Sequence, residues 1–375
     1  MKITLRRSWL IWLLTVTLMA ALLMMLWGCG DDQPSAPAAG EPKPVSNSNT
    51  AVWLVPKSSG ISFFDSANAG AQAYAAKHGI NVQYAGSPIP EIEKQIEIID
   101  QAIANKVKAI VISSLDSTAL DDALKRAAQN GITVVTWNSD VSPDARKVMV
   151  SQGTPAQLGS RLVEMATKSL IKRGLKPATD PIEYVWHFSR STVTDQNSWR
   201  QAGEAYIESN YPNWVNVKPD NYYSNNDPDL AVKVGHTIFQ EHPDINVILC
   251  NDAISLPGQA QAAKELNKTA RDVTITGFST PNSMREYALA GIVDRWALWD
   301  CRIQASIACY LAWYLAKDSK ELVLGQMIDI PDIGLVEVMS NNVLQPNSPL
   351  PHGLGVVLLP NRIEFTSENV NDYDF

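Results

Sequence analysis

Residues 92–112 read IEKQIEIIDQAIANKVKAIVI, and two periodicities meet in this one stretch. Ile92, Ile96, Ile99 and Ile103 recur at spacings of four, three and four, the stripe of a helix lying on a core. After a short polar break comes Ala109-Ile110-Val111-Ile112, apolar without alternation, as a strand covered on two faces should be. Upstream lie a strand at Val52-Trp53-Leu54-Val55, a helix from about Phe63 to His78 closed by Gly79, and a strand from Asn81 to Tyr84. Downstream, a helix ending near Asn130-Gly131 leads into Ile132-Thr133-Val134-Val135. Such alternation is the signature of a parallel sheet wrapped by helices.

The pattern then restarts. Strands at Tyr184 to Phe188, Val215 to Val217, Val247 to Leu249 and Val273 to Thr276 alternate with helices near 155–172, 197–210, 228–241 and 255–266. A helix near 282–290, a strand near 293–298, a helix near 302–316 and extended segments out to Phe375 complete the chain. The expected fold class is α/β, two doubly wound parallel-sheet lobes joined by hinge strands. The first lobe is expected to hold 51–150 plus about 281–320, the second 151–280 plus about 321–375. A cleft between two such lobes is where open α/β sheets place ligands.

The first 28 residues set the compartment. Lys2, Arg6 and Arg7 precede an uncharged apolar run from Trp9 to Trp27, which meets Leu26-Trp27-Gly28-Cys29. This reads as a lipoprotein signal peptide over 1–28 with Cys29 lipidated as the first mature residue; a signal-anchor helix is the alternative. Residues 29–50, with Pro34, Pro37, Pro42 and Pro44 among small polar residues, cannot bury apolar surface and read as a disordered tether. The expected location is therefore the cell envelope, lipid-anchored on its periplasmic or extracytoplasmic face. Without the leader, 28 of the 31 lysines and arginines remain against 39 acidic side chains, a balance that disfavours nucleic acid. Past Cys29 only Cys250, Cys301 and Cys309 are left. Cys301 and Cys309 sit eight positions apart on a helix, at least ~12 Å against a limit of ~7 Å for a bridge, so no structural disulfide is expected.

No catalytic or metal pattern appears: His78, His187, His236, His242 and His352 are scattered, and Pro56-Lys57-Ser58-Ser59-Gly60 stands where a phosphate loop would follow the first strand. No cofactor, no metal and no enzymatic turnover are expected. The informative residues are those just after strand ends, because that edge faces the cleft. Lys57 follows the first strand, Asn138 and Asp140 follow Trp137, Asp195 and Gln196 follow the Tyr184 strand, Asn251 and Asp252 follow Cys250, and Phe278 and Ser279 follow Thr276. Singly, Asp195 could cap a helix, Lys57 could be a solvated loop residue, and Asn138 to Pro143 is good turn chemistry. Phe63, Phe64, Trp137 and Trp299 could be core or could offer aromatic faces to a sugar ring. Placement at one edge favours the binding reading. Carboxylates and amides with one lysine suit vicinal hydroxyls, which both donate and accept; an anionic ligand would favour arginines.

At these residues the sequence resembles the periplasmic autoinducer-2-binding proteins of Lsr importers, type I periplasmic solute-binding proteins of the pentose-binder superfamily. The similarity runs from about Ala51 to Phe375. It is carried by Pro56-Lys57 with Phe63-Phe64, by residues 152–159 (QGTPAQLG), 192–197 (TVTDQN), 277–282 (GFSTPN) and 298–300 (LWD), and by the closing Tyr373-Asp374-Phe375. The resemblance implies a receptor that hands its ligand to an ABC permease and ATPase, acts as a monomer, and binds the quorum-sensing signal autoinducer-2 or a closely similar small neutral polyol. It implies a cyclic tetrol held by Lys57, Asp195 and Gln196, with the loop at Asn251, Asp252 and Ala253. Two positions depart. The family's first aspartate falls on Asn138, and its Pro-Asp-Ala loop is Asn251-Asp252-Ala253 here. An Asn-Asp pair also resembles the loop of ribose-type binders, which makes a pentose or a deoxyhexose such as rhamnose the alternative ligand.

Overall fold

A computed structural model describes residues 51–346 and 355–375. The signal peptide, Cys29 and tether expected over 1–50 lie outside the described residues. In chain order the elements are β1 (Val52–Val55), α1 (Ser62–His78), β2 (Val82–Tyr84), α2 (Ile92–Ala104), β3 (Ala109–Ile112), α3 (Asp121–Gln129), β4 (Thr133–Trp137), β5 (Val148–Ser151), α4 (Pro155–Lys172), β6 (Ile182–Phe188), α5 (Thr194–Asn210), β7 (Trp214–Asn216), β8 (Tyr222–Tyr223), α6 (Pro228–Glu241), β9 (Val247–Cys250), α7 (Ser255–Glu265), β10 (Thr274–Gly277), α8 (Pro281–Leu289), β11 (Arg295–Leu298), α9 (Cys301–Lys317), β12 (Met327–Ile330), β13 (Gly334–Glu337), β14 (Val356–Leu358) and β15 (Ile363–Thr366). Among the described residues no helix is long and apolar enough to cross a membrane.

The first sheet has the order β14-β5-β4-β3-β1-β2 and is parallel throughout. Because successive side chains of a strand point to opposite faces, Val52 and Leu54 enter one core while Trp53 and Val55 enter the other. The second core is closed by Ile99 and Ala102 of α2 and by Leu124 of α3, and the first by α1 and α9. The second sheet, β10-β9-β6-β7 with β8 also on β6, repeats the same parallel winding. In each sheet the strand order reverses beside the first strand, between β1 and β3 and between β6 and β9. The crevice outside the carboxyl ends of those strands is the ligand position of the doubly wound class. Glycine permits the close helix contact behind this edge: a Cβ on Gly159 of α4 would lie 2.5 Å from the backbone of Gly203 on α5.

Among the described residues the chain crosses between lobes three times, through 152–154, 299–300 and 359–362. This corrects the expected boundaries. Helix α8 packs on α7, and β11 runs beside β10 with Ser279 N–H donating to Ala297 O, so residues 281–298 stay with the second lobe. Helix α9 packs along α1, the β12–β13 hairpin reaches α1 through Tyr74 and Lys77, and β14 pairs with β5, so 301–346 and 355–358 belong to the first lobe. The remainder returns to the second lobe: β15 pairs antiparallel with β11, and the closing residues dock on α8, where Asn282 N–H donates to Phe375 O. The strand β5 and the short β8 carried no expectation from the sequence. Asp140 is structural: its carboxylate takes a two-pronged ion pair from buried Arg146 at 2.8 and 2.6 Å, and Arg146 also holds Asn341 Oδ1 and Gly355 O. The pair fixes the β4–β5 loop to Asn341 and to Gly355, the residue just before β14.

Buried polar side chains tie the three crossings together. Trp299 Nε1 donates to Gln304 Oε1 at 2.7 Å, and Gln304 Nε2 donates to Val150 O at 2.9 Å and to Gln152 Oε1 at 3.0 Å. Arg362 Nε donates to Gln152 O at 2.8 Å. Gly153 has to be glycine here, because a Cβ would sit 2.4 Å from the Arg362 guanidinium at a φ of +156°. Gln304→Leu strands Trp299 Nε1 and Gln152 Oε1, and at roughly 1–3 kcal/mol for each unsatisfied group the loss is about 2–6 kcal/mol. Urea unfolding is expected to show a loss in that range; an unchanged midpoint contradicts the hinge role assigned to Gln304.

Candidate ligand-binding site

All nine residues singled out for ligand contact line one cavity between the lobes: Lys57, Phe63, Phe64, Asn138, Asp195, Gln196, Asn251, Asp252 and Ala253. The lobes are closed over it. Ser139 Oγ on the first lobe donates to Asp195 Oδ1 on the second at 2.8 Å, Ser62 and Thr280 hydroxyls meet at 3.2 Å, and Arg190 donates to Pro90 O at 2.5 Å. The enclosed volume is about 40 Å³, counted as space open to the centre of a water molecule. Adding the water radius of ~1.4 Å all round gives room on the order of 180 Å³, enough for one small ring with its substituents and too little for two.

Each polar side chain has a local reason to be where it is. Asn138 adopts φ +60°, a region asparagine enters more readily than most residues. Its Nδ2 donates to Ser113 Oγ at 3.1 Å, which leaves the side-chain carbonyl as an acceptor. Asp195 lies in the first turn of α5, where the helix dipole favours a carboxylate, but it does not cap: the N-cap is Val193. Gln196 Oε1 accepts from the backbone and hydroxyl of Ser189, leaving its amide protons for the cavity. Asn251 Nδ2 donates to Gln196 O, while its Oδ1 is buried without a protein partner. Asp252 Oδ1 accepts from Ile254 N and Ser255 N, and its Oδ2 is likewise buried and unpartnered. A buried acceptor without a donor costs stability unless a ligand supplies one.

The electrostatics follow from enclosure. Burial holds the Lys57 ammonium below the usual lysine range, against the opposing pull of Asp195 and Asp252. Burial also raises both carboxyls above the usual range, with Lys57 acting in the other direction on each. The walls are aromatic. Phe63 stacks parallel to Trp137 at 6.2 Å and meets Trp299 edge-on at 5.9 Å; Trp299 contacts Trp199 at 6.0 Å and Phe278 at 5.7 Å.

The sequence reading passed over Ile61, Trp199, Asn226, Ile254 and Leu298, which also line the cavity. Trp199 carried a usable signal, since it stands four residues after Asp195 on one helix face. Asn226 did not: it reaches the site from the loop before α6 at φ +61°, and its buried Nδ2 has no protein partner. Ser279 faces away, donating to Ala253 O, while Phe278 is a wall. Of the histidines, His187 is fully buried and kept neutral, with burial pushing its ring to about 3. Among the described residues no cluster of histidine, cysteine and carboxylate side chains could hold a metal ion.

Two lobes of repeated parallel winding, closing on an enclosed polar site at their strand ends, define a receptor for a small solute. Residues 52–321 match the model of the periplasmic binding protein domain, and the chain belongs to that family of extracytoplasmic solute-binding proteins. Within it, the chain is LsrB-like: it is 52% identical to the solved structure of LsrB from Clostridium saccharobutylicum in complex with AI-2, with a TM-score of 0.84 over 87% of this chain and 100% of that one. The D-ribose/D-allose-binding protein of Pseudomonas aeruginosa is 26% identical over 62% of this chain and 72% of its own length. A solute-binding protein of Clostridium phytofermentas with bound L-rhamnose shares the fold at 20% identity and TM-score 0.75, over 86% of this chain and 97% of that one.

The raised Asp252 value fixes the sign of a pH effect. An acid whose folded value exceeds its unfolded value of ~3.9 opposes folding once ionised; stability is lost as pH rises from the ordinary value to the raised one and stays lost above it. Asp252→Asn retains an oxygen for the α7 cap and removes the charge. Ligand-free, it is expected to melt at or above the wild-type temperature at pH 7, with the difference shrinking as pH falls through the raised value. A clearly lower melting temperature at neutral pH contradicts the desolvation account.

Proposed function

We propose that this chain is the substrate receptor of an ABC importer, that it closes on autoinducer-2 or a closely similar small polyol, and that it releases the ligand unaltered to the permease. One observation carries the reading: four acceptor side chains line the cavity against three donor side chains. Asp195, Asp252, Asn138 and Asn251 present oxygens, against donors from Lys57, Gln196 and Asn226. Such a site wants a guest rich in hydroxyl protons, and charge-assisted bonds to the two carboxylates are the strong ones. The 52% identity to an LsrB solved with AI-2, spanning all of that chain, supports the same ligand. Ligand bridging both lobes stabilises the closed form, the state a permease recognises. The leader and Leu26-Trp27-Gly28-Cys29 support a lipid anchor at Cys29 on a monomeric receptor.

A pentose or deoxyhexose is the second reading. It is favoured by the Asn251-Asp252 pair and by the ribose- and allose-binding relative.

A thermal-shift screen of autoinducer-2 against ribose and rhamnose separates the two. A ligand at ~100 times its dissociation constant adds ~2.7 kcal/mol, a rise of several degrees for a protein of this size. A response to autoinducer-2 is the expected result; a response confined to sugars selects the second reading. Lys57→Ala and Asp195→Ala are each expected to weaken binding by more than about tenfold, ~1.4 kcal/mol, in titration calorimetry. Unchanged affinity in both removes these residues from the site.

A further inference from the structure

A second cavity adjoins the first. It measures about 320 Å³ on the same scale, far larger than the site itself, and it opens between the start of α1 on one lobe and α6, α7 and α8 on the other. The two cavities share three lining residues, Ile61, Ala253 and Ile254. Ala253 offers little more than a methyl group, so the partition between them consists of two isoleucine side chains, one from each lobe. Both are held in place. Ile61 is the N-cap residue of α1, and the next residue, Ser62, is hydrogen-bonded across the cleft to Thr280 at 3.2 Å. Ile254 is buried beside Asp252, which accepts its backbone N–H at 2.8 Å.

The outer cavity combines apolar surface with polar side chains, Asp229, Gln261 and Ser283 among them. Val232, Pro257 and Ile254 supply apolar surface, and the Tyr287 hydroxyl is engaged with Gln261 at 3.0 Å. From this we infer that Ile61 and Ile254 are the specificity-determining wall of the site. They confine the ligand to a single small ring by closing off a neighbouring space that would otherwise accept an alkyl or hydroxyalkyl substituent. This rests on the proposed polyol receptor function and adds the origin of its size limit. The two residues come from opposite lobes, so the wall exists only in the closed form. Size is then tested by whether closure can be completed, and an oversized guest holds Ile61 away from Ile254.

The test uses the mature receptor and two single variants, Ile61→Ala and Ile254→Ala. The ligands are whichever of autoinducer-2, ribose and rhamnose binds best, together with its O-propyl ethers, one at each hydroxyl. Wild type is expected to bind the parent and reject every ether. At least one variant should bind at least one ether more than about tenfold better than wild type does. Wild-type binding of an ether as tight as of the parent overturns the inference, as does rejection of all ethers by both folded variants. A ligand-independent arm keeps the result separable from the identity of the ligand. A crystal structure of closed Ile61→Ala should show one continuous cavity, and two cavities still separated would overturn the inference even if no ligand in the panel binds.

Discussion

Closing two lobes over Lys57, Asp195 and Asp252 takes three formal charges out of bulk water, and the rest of the site is arranged around that expense. Each such ion costs several kcal/mol to desolvate even after relaxation. The lysine comes from the first lobe and both aspartates from the second, so their attraction acts across the cleft and draws the lobes together. One negative charge is left over. Protein donors meet part of it: Ser139 binds Asp195, and the backbone at the start of α7 binds Asp252. The remaining acceptor capacity, above all Asp252 Oδ2 and Asn251 Oδ1, has no partner within the protein. A neutral guest carrying several hydroxyl protons completes the set. This makes ligand binding and closure one process: the charges are adequately paired only when the lobes and the guest are all in place.

The same residues reach into the hinge. Gln152 stands at the first crossing and donates to Asn138 O at 3.0 Å, beneath a residue of the site. Through Gln304 it is joined to Trp299, whose ring is both a wall of the cavity and part of the second crossing. Through its carbonyl it is joined to Arg362 at the third. A rotation that opens the cleft must alter these bonds or the backbone between them. The arrangement of side chains around the ligand and the angle between the lobes are therefore not independent variables. Packed interiors respond to such changes by switching between discrete arrangements more readily than by bending continuously.

Much of this was legible in the sequence, for a definite reason. Strands such as Val52–Val55 and Ala109–Ile112 are buried on two faces and announce themselves as short apolar runs, and doubly wound sheets put function just past their carboxyl ends. Two rules of local reading therefore brought Lys57, Asn138, Asp195, Gln196, Asn251 and Asp252 to one cavity, while Phe63 and Phe64 were singled out as aromatic faces and Ala253 by the family resemblance. The failures share a cause as well. Residues 281–298, 321–346 and 355–358 were given to the other lobe because the element succession does not say which sheet a crossing strand joins; the approach of β11 to β10 and the pairing of β14 with β5 decide that. Asp140 stood at a strand end like the others, yet Arg146, six residues away, holds it as a structural ion pair. Asn226 and Ile61 reach the cavity from loops that carry no periodicity, so no spacing rule points at them.

The two departures from the autoinducer-2-binding pattern have a common physical consequence. An aspartate at position 138 would add a further negative charge to a cavity already holding two carboxylates and one ammonium. Asn138 keeps an acceptor oxygen at no charge, and its amide donates one bond to Ser113 Oγ. At position 251 a proline could neither donate nor present a side-chain oxygen. Asn251 does both, tying its amide to the first turn of α5 through Gln196 O and leaving Oδ1 in the site. The change at 138 gives up one acceptor oxygen together with a negative charge, and the change at 251 adds an acceptor oxygen without adding charge. A hydroxyl-rich neutral ring thus remains the favoured guest, with the stronger ionic hydrogen bonds concentrated on Asp195 and Asp252, both from the second lobe, and Lys57 left as the first lobe's charged contribution.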